Sequence, residues 1–122
     1  MNWSRLAASA LGIAVILGAF GAHGLKGRLD AYAMGVYEKA VFYHFIHALG
    51  MLVTSVLPKS GILSSQTAAR VCALLAAGIV LFSGSLYLLA ISGVTALGAI
   101  TPLGGVAFIA AWFLLAWSLR SA

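Results

Sequence analysis

Acidic residues are nearly absent from this chain of 122 residues, which contains only Asp30 and Glu38 against seven Lys and Arg. Charged residues make up 7% of the sequence, whereas a soluble domain carries about a quarter. This scarcity excludes an ordinary water-soluble globule. Disorder is excluded as well, because 63% of the residues are hydrophobic and disordered segments are poor in such residues.

Cysteine occurs once, at Cys72, inside an apolar stretch. A single cysteine excludes a disulfide framework and a two-cysteine redox relay within one chain. We therefore interpret Cys72 as a packing residue. The basic residues are scattered rather than clustered, which argues against a nucleic-acid partner and favours contacts with the headgroups of membrane lipids.

The charged residues divide the sequence into long uncharged segments. Each charge costs about 2.5 to 3.5 kcal/mol at the centre of a membrane helix, so the uncharged segments are the candidates for membrane spans. Residues 6–25 and 40–58 are each long enough for one crossing of the hydrocarbon core. Residues 71–119 are too long for one crossing and contain helix-breaking Gly and Pro near the middle. The sequence therefore predicts an all-α integral membrane protein, a four-transmembrane-helix bundle forming a single domain over residues 1–122. The predicted helices span about 4–25, 38–57, 69–92 and 102–120.

Segment 26–37 mixes charges with apolar residues, and we expect it to form a loop that contains a short interfacial helix. Four crossings place both termini on the same side of the membrane. That side would carry four basic residues, and the other side would carry three. By the positive-inside rule, this difference favours cytoplasmic termini in a bacterial inner (plasma) membrane. The four are Arg5, Lys59, Arg70 and Arg120, and the three are Lys26, Arg28 and Lys39.

Small residues gather on one side of each predicted helix, where they permit neighbouring backbones to approach closely. On the second helix, large apolar residues such as Phe42 and Ile46 are expected to face lipid, and the histidines are expected to face protein. Trp112 on the fourth helix is also expected to face lipid. The residues predicted to mediate helix packing are Gly18, Gly21, Ala22, Ala76, Ser83, Ala107 and Ala111.

One segment of the first span has a distinctive sequence, Gly18-Ala19-Phe20-Gly21-Ala22-His23-Gly24-Leu25, and an aromatic-rich second span with Tyr43, His44, His47 and Ala48 follows it. This combination resembles the domain-of-unknown-function 423 family, which is related to the eukaryotic transmembrane protein 256 family. The likeness covers most of the chain. It implies a four-helix bundle at the bacterial plasma membrane with no assigned activity, and it implies no catalytic or ligand-binding residues.

The three histidines lie on the same side of the predicted membrane, because His23 ends the first span while His44 and His47 begin the second. In the functional interpretation, His44 and His47 share one helix face and bind a ligand together with His23, with Tyr43 and Tyr87 as neighbours. The identity of any metal stays open. In the structural interpretation, each neutral imidazole donates one hydrogen bond and joins the first two helices.

Several enzyme and carrier classes require groups that the sequence lacks. A proton-coupled multidrug carrier needs an acid within its first span, and quinone-linked thiol oxidation needs cysteine pairs. The leading prediction is a noncatalytic structural or accessory membrane component without a cofactor. Its expected partners are membrane lipids, further copies of itself or a larger membrane complex. The alternative is a ligand-binding or transport protein with a histidine-lined pocket near the side of residues 26–39.

Overall fold

A computed structural model describes residues 1–120 and contains four apolar helical segments, each long enough to cross a membrane. No β-strand occurs within this range. The prediction of an all-α membrane protein with four spans is therefore confirmed. In chain order the segments are Trp3–His23, Ala31–Ser60, Ser65–Ser92 and Thr95–Ser118.

These segments comprise five α-helices and three shorter turns. The second segment ends in a 3₁₀ turn, the third contains a π turn, and the fourth begins with a 3₁₀ turn. The helices are α1 (Trp3–His23), α2 (Ala31–Val56), α3 (Ser65–Gly78), α4 (Gly84–Ser92) and α5 (Thr101–Ser118), and the turns are Leu57–Ser60, Ile79–Ser83 and Thr95–Ala99.

The second helix begins at Ala31 rather than near residue 38, so the prediction of a separate interfacial helix within 26–37 is wrong. The carboxylate of Asp30 accepts a hydrogen bond from the backbone N–H of Ala33 at 2.8 Å and caps the helix. Such caps stabilise a helix by about 1 kcal/mol. Of the charged residues in segment 26–37, Lys26 and Arg28 therefore precede α2, and Asp30 caps it.

The third segment also begins before the predicted residue 69. The Ser64 hydroxyl accepts from the backbone N–H of Thr67 at 3.1 Å, so α3 begins at Ser65. A π turn at Ile79–Ser83 then separates α3 from α4 without ending the span. The hydropathy pattern does not reveal this turn, because one extra residue in a helical turn leaves the pattern nearly unchanged.

The four spans do not contribute equally to the bundle. Helix α2 is central and contacts α1, α3 and α4, whereas α1 packs mainly on α2 and α5 packs mainly on α3 and the π turn. Both α1 and α5 therefore keep a broad surface for lipid. The main core consists of Ala7, Met51, Val71, Cys72, Leu75, Phe108 and Ala111.

Two contacts identify the residues that meet at one end of the bundle. The hydroxyl oxygens of Ser4 and Ser55 lie 2.9 Å apart, and the backbone N–H of Arg120 donates to the carbonyl of Ile62 at 2.9 Å. The start of α1 and the residues after α5 thus lie beside the connection 57–64. We call this the 57–64 end of the bundle, and we call the opposite end the 24–30 end.

The small residues predicted at helix contacts differ in burial. The buried residues are Gly21, Ser83 and Ala111, and the partly buried residues are Gly18, Ala76 and Ala107. Ala22 is exposed and lies at the edge of a surface groove between α1 and α2.

Candidate functional site

His44 lies in the interior between three helices, with 4% of its surface exposed. Its Nδ1 is 2.8 Å from the hydroxyl oxygen of Tyr87 on α4, and the two atoms form a hydrogen bond. The tautomer of the imidazole determines which of the two donates. This imidazole therefore joins α2 and α4.

Two further side chains continue this contact between helices. The Tyr37 hydroxyl donates to the carbonyl of Leu17 on α1, and its ring meets that of Tyr87 edge to face with centroids 5.3 Å apart. The Ser83 hydroxyl at the end of the π turn donates to the carbonyl of Ala40 at 2.8 Å. We call Tyr37, His44, Ser83 and Tyr87 the polar cluster.

His47 has a different environment, although it is also 5% exposed. Its Nδ1 donates to the backbone carbonyl of Tyr43 in its own helix at 2.7 Å. Nε2 is therefore an acceptor, and it has no hydrogen-bond partner within residues 1–120. The imidazole stacks on the ring of Phe108 from α5, with the centroids 3.5 Å apart and the planes 12° from parallel.

More aromatic rings surround His47 where α2, the π turn and α5 meet. The ring of Phe82 lies 4.5 Å from that of Tyr43, and the indole of Trp112 lies 5.8 Å from the imidazole. We call Tyr43, His47, Phe82, Phe108 and Trp112 the aromatic cluster.

Glycines make room for the rings of the aromatic cluster. A Cβ atom at Gly78 would overlap the ring of Phe108, and one at Gly50 would overlap the ring of Trp112. Trp112 was expected to face lipid, and 37% of it is exposed. Its ring nevertheless covers Gly50, because the missing side chain leaves a place on α2 that an indole fills.

The structure brings some predicted site residues together and separates others. His44 contacts Tyr87, and His47 contacts Tyr43, but these two pairs belong to different clusters. His23 is exposed at the end of α1 and contacts neither pair. No group of three His, Cys, Asp or Glu side chains suited to a metal occurs in the described part of the chain.

Sequence reasoning missed Tyr37 and Phe108 as the central partners of the two histidine regions. A Cβ atom at Gly21 would overlap the ring of Tyr37, so the small residue on α1 and the large ring on α2 form one contact. Gly21 was recognised as a packing residue, but nothing in a single sequence indicates which ring covers it. The same holds for Gly78 and Phe108.

The described chain has four surface pockets, and neither His44 nor His47 lines any of them. One groove of about 270 Å³ between α2 and α5 is lined by Gly50, Thr54 and Trp112. The hydroxyl of Thr54 is buried and has no partner among residues 1–120. The Ser55 hydroxyl, in contrast, donates to the carbonyl of Leu52 in its own helix.

These features define a small multi-pass membrane protein whose interior combines interhelical hydrogen bonds with stacked rings. Residues 17–105 match the model of the family described as "Protein of unknown function (DUF423)". The chain belongs to this family. The matched range includes all four residues of the polar cluster and ends before Phe108 and Trp112.

Relatives named as membrane proteins match along most of their length. The UPF0382 membrane protein YwdK of Bacillus subtilis is 52% identical over 105 residues, which cover 84% of this chain and 83% of that protein. UPF0382 membrane proteins of Staphylococcus epidermidis (SERP0230) and Staphylococcus haemolyticus (SH2409) are 50% and 48% identical. The first match covers 84% of this chain and 82% of the relative, and the second covers 80% and 78%. No solved structure matches the chain.

Proposed function

We propose that this protein is a noncatalytic accessory component of the bacterial plasma membrane that acts by associating with other membrane-embedded helices. One observation carries the proposal: the interior polar groups of the polar cluster bond to one another and to backbone carbonyls, and His44, Ser83 and Tyr87 line none of the four surface pockets. Such groups stabilise a bundle. The outer surface of the bundle is then the part of the protein that can bind other molecules.

The outer face of α1 is the surface best suited to such contacts. It exposes Ala8, Gly12, Val15 and Ala19 toward lipid, at spacings that place them on one side of the helix. A Cβ atom added at Gly12 would meet no atom within 4 Å. A helix from a second copy or from a larger complex can therefore approach α1 closely here.

A photo-crosslinking amino acid in place of Gly12 tests this association in native membranes. The matched control carries the same group at Val106 on α5, which is 64% exposed. We expect one discrete protein adduct from position 12, lost on adding Ala19→Leu, and only lipid adducts from position 106. Mass spectrometry of the adduct distinguishes a second copy from another protein. Lipid adducts alone at both positions contradict the proposal.

A second candidate function rests on the free Nε2 of His47. This nitrogen offers a lone pair to a hydroxyl-bearing, lipid-soluble molecule, with Tyr43 and Trp112 beside it. Purified protein would be extracted with organic solvent and compared with His47→Phe, which keeps the stacking on Phe108 and removes the lone pair. A hydroxyl compound that co-purifies only with the unsubstituted protein supports this function. Equal extracts from both proteins contradict it.

We also propose that the 57–64 end faces the cytoplasm, because it carries Arg5, Lys59, Arg70 and Arg120. Cysteines would be introduced at Ser60 and, separately, at Gly27 in a Cys72→Ala background. An impermeant maleimide applied to intact cells should label position 27 and leave position 60 unlabelled. The reverse pattern contradicts this orientation.

A further inference from the structure

The largest of the four surface pockets lies at the 57–64 end and has a volume of about 600 Å³. It is formed where the start of α1, the end of α2 and the start of α3 meet. The lining residues used below are Asn2, Trp3, Pro58, Lys59, Ser65 and Ala69. The pocket opens where three apolar spans begin or end, which is the level of lipid headgroups.

Charge at this end of the bundle is of one sign. Lys59 lines the pocket, and the exposed Arg5 and Arg70 directly follow the lining residues Ser4 and Ala69 in the chain. The two acidic residues of the sequence, Asp30 and Glu38, lie at the 24–30 end. Among the described residues, no acidic side chain therefore lies at the 57–64 end to neutralise these cations, and the pocket attracts an anion.

Several residues that line this pocket carry hydrogen-bond donors. The side-chain oxygen of Asn2 accepts from the backbone N–H of Arg5, which leaves its amide N–H₂ as a donor. Lys59 supplies an ammonium group, and Ser65 supplies a hydroxyl. Neither side chain has a hydrogen bond to another side chain or to the backbone within the described residues. Donors combined with positive charge are the chemistry that a phosphate group requires.

The other walls are apolar, with Trp3, Pro58 and Ala69 among the lining residues. A free inorganic anion would leave these walls without a partner, whereas the glycerol and upper acyl carbons of a lipid would cover them. Tryptophan is also a typical residue of the membrane interface. We propose that this pocket binds the phosphodiester headgroup of an anionic phospholipid, with Lys59 as the ion-pairing residue.

The test measures lipid retention by native mass spectrometry after exchange into micelles that contain equal amounts of phosphatidylglycerol and phosphatidylcholine. We expect the unsubstituted protein to retain phosphatidylglycerol preferentially. Lys59→Gln should lower this retention about fivefold, the effect of one cation beside an anionic lipid. The control Lys26→Gln removes the same charge at the other end and should leave retention unchanged. Ser65→Leu narrows the pocket without changing charge and should also lower retention.

Three results overturn the proposal. Equal losses in Lys59→Gln and Lys26→Gln would show attraction by net charge rather than by a site. Equal retention of the two lipids would show that the headgroup is not recognised. Displacement of phosphatidylglycerol by millimolar inorganic phosphate would show a site for a free anion instead of a lipid. Thermal unfolding, followed by reaction of a fluorogenic dye with the buried Cys72, confirms that each variant is folded.

Discussion

The polar cluster and the aromatic cluster connect the same central helix to different neighbours by different physical means. In the polar cluster, His44 forms a hydrogen bond with Tyr87, and the Tyr37 hydroxyl donates to α1, so the placement of donors and acceptors determines the contact. In the aromatic cluster, His47 bonds only its own helix, and rings from α2 and α5 stack over glycines. Hydrogen bonds between membrane helices contribute on average about 0.6 kcal/mol. Overpacking at a close contact costs about 1 to 3 kcal/mol. We therefore expect substitutions that disturb the packing of rings over glycines to lower the free energy of unfolding more than the loss of one interhelical hydrogen bond does.

The largest effect is expected for Gly104→Ala beside the aromatic cluster. A Cβ atom at Gly104 would overlap the backbone nitrogen of Phe82, which has no rotamer by which to move away. We expect a loss of at least about 3 kcal/mol in the free energy of unfolding, or failure to fold. The rate at which Cys72 reacts with a thiol dye in detergent measures this loss. The control is Gly12→Ala, where the added methyl group meets open space, and equal stability of the two variants contradicts the prediction.

Gly78→Ala should have the next largest effect, because the new methyl group would overlap the ring of Phe108. A side chain can move where a backbone cannot, so we expect a loss of about 1 to 3 kcal/mol. Phe108→Leu should relieve the overlap and make the two substitutions non-additive. Unfolding titrations of both single variants and the double variant measure the coupling. Strict additivity would show that Gly78 and Phe108 do not oppose each other.

Tyr87→Phe tests the polar cluster and should have a smaller effect. It removes the hydroxyl that forms a hydrogen bond with His44 and leaves the ring against Tyr37. The expected loss is about 0.6 to 1.7 kcal/mol, measured by the same unfolding titration. Tyr32→Phe serves as the control, since Tyr32 is 74% exposed. A loss larger than that of Gly78→Ala would reverse the ranking of the two clusters.

Gly35→Ala lies in α2 outside both clusters and should have the smallest effect. An added Cβ atom meets nothing within 4 Å, and alanine favours a helix over glycine by about 1 kcal/mol in water. We therefore expect unchanged or slightly higher stability in a thermal unfolding experiment. Destabilisation at this position would indicate that α2 has a contact on this side that the isolated bundle does not show.

Particular residues show how far a single sequence predicts this structure. Runs between charges located the first two spans, because a buried charge in hydrocarbon is costly for any fold, and the length of the run 71–119 with its central Gly and Pro residues located the other two. The start of α2 was placed too late, since Asp30 was interpreted as a loop residue rather than as a helix cap. His44 and Tyr87 were expected to be neighbours because they lie at a similar depth in the membrane. The stacking of His47 on Phe108 was not predictable, because it depends on how α5 is rotated and on the π turn at Ile79–Ser83.

The sequence by itself determined that this protein is a membrane bundle of four apolar helices, because the hydrophobic effect and the cost of buried charge act on each segment separately. It also determined the excess of basic residues that sets one end of the bundle apart. Only the tertiary structure decided which ring fills which glycine gap, which nitrogen of the His47 imidazole carries the hydrogen, and that His23 lies apart from the other histidines. These features depend on the relative rotation and depth of helices, and no single segment contains that information.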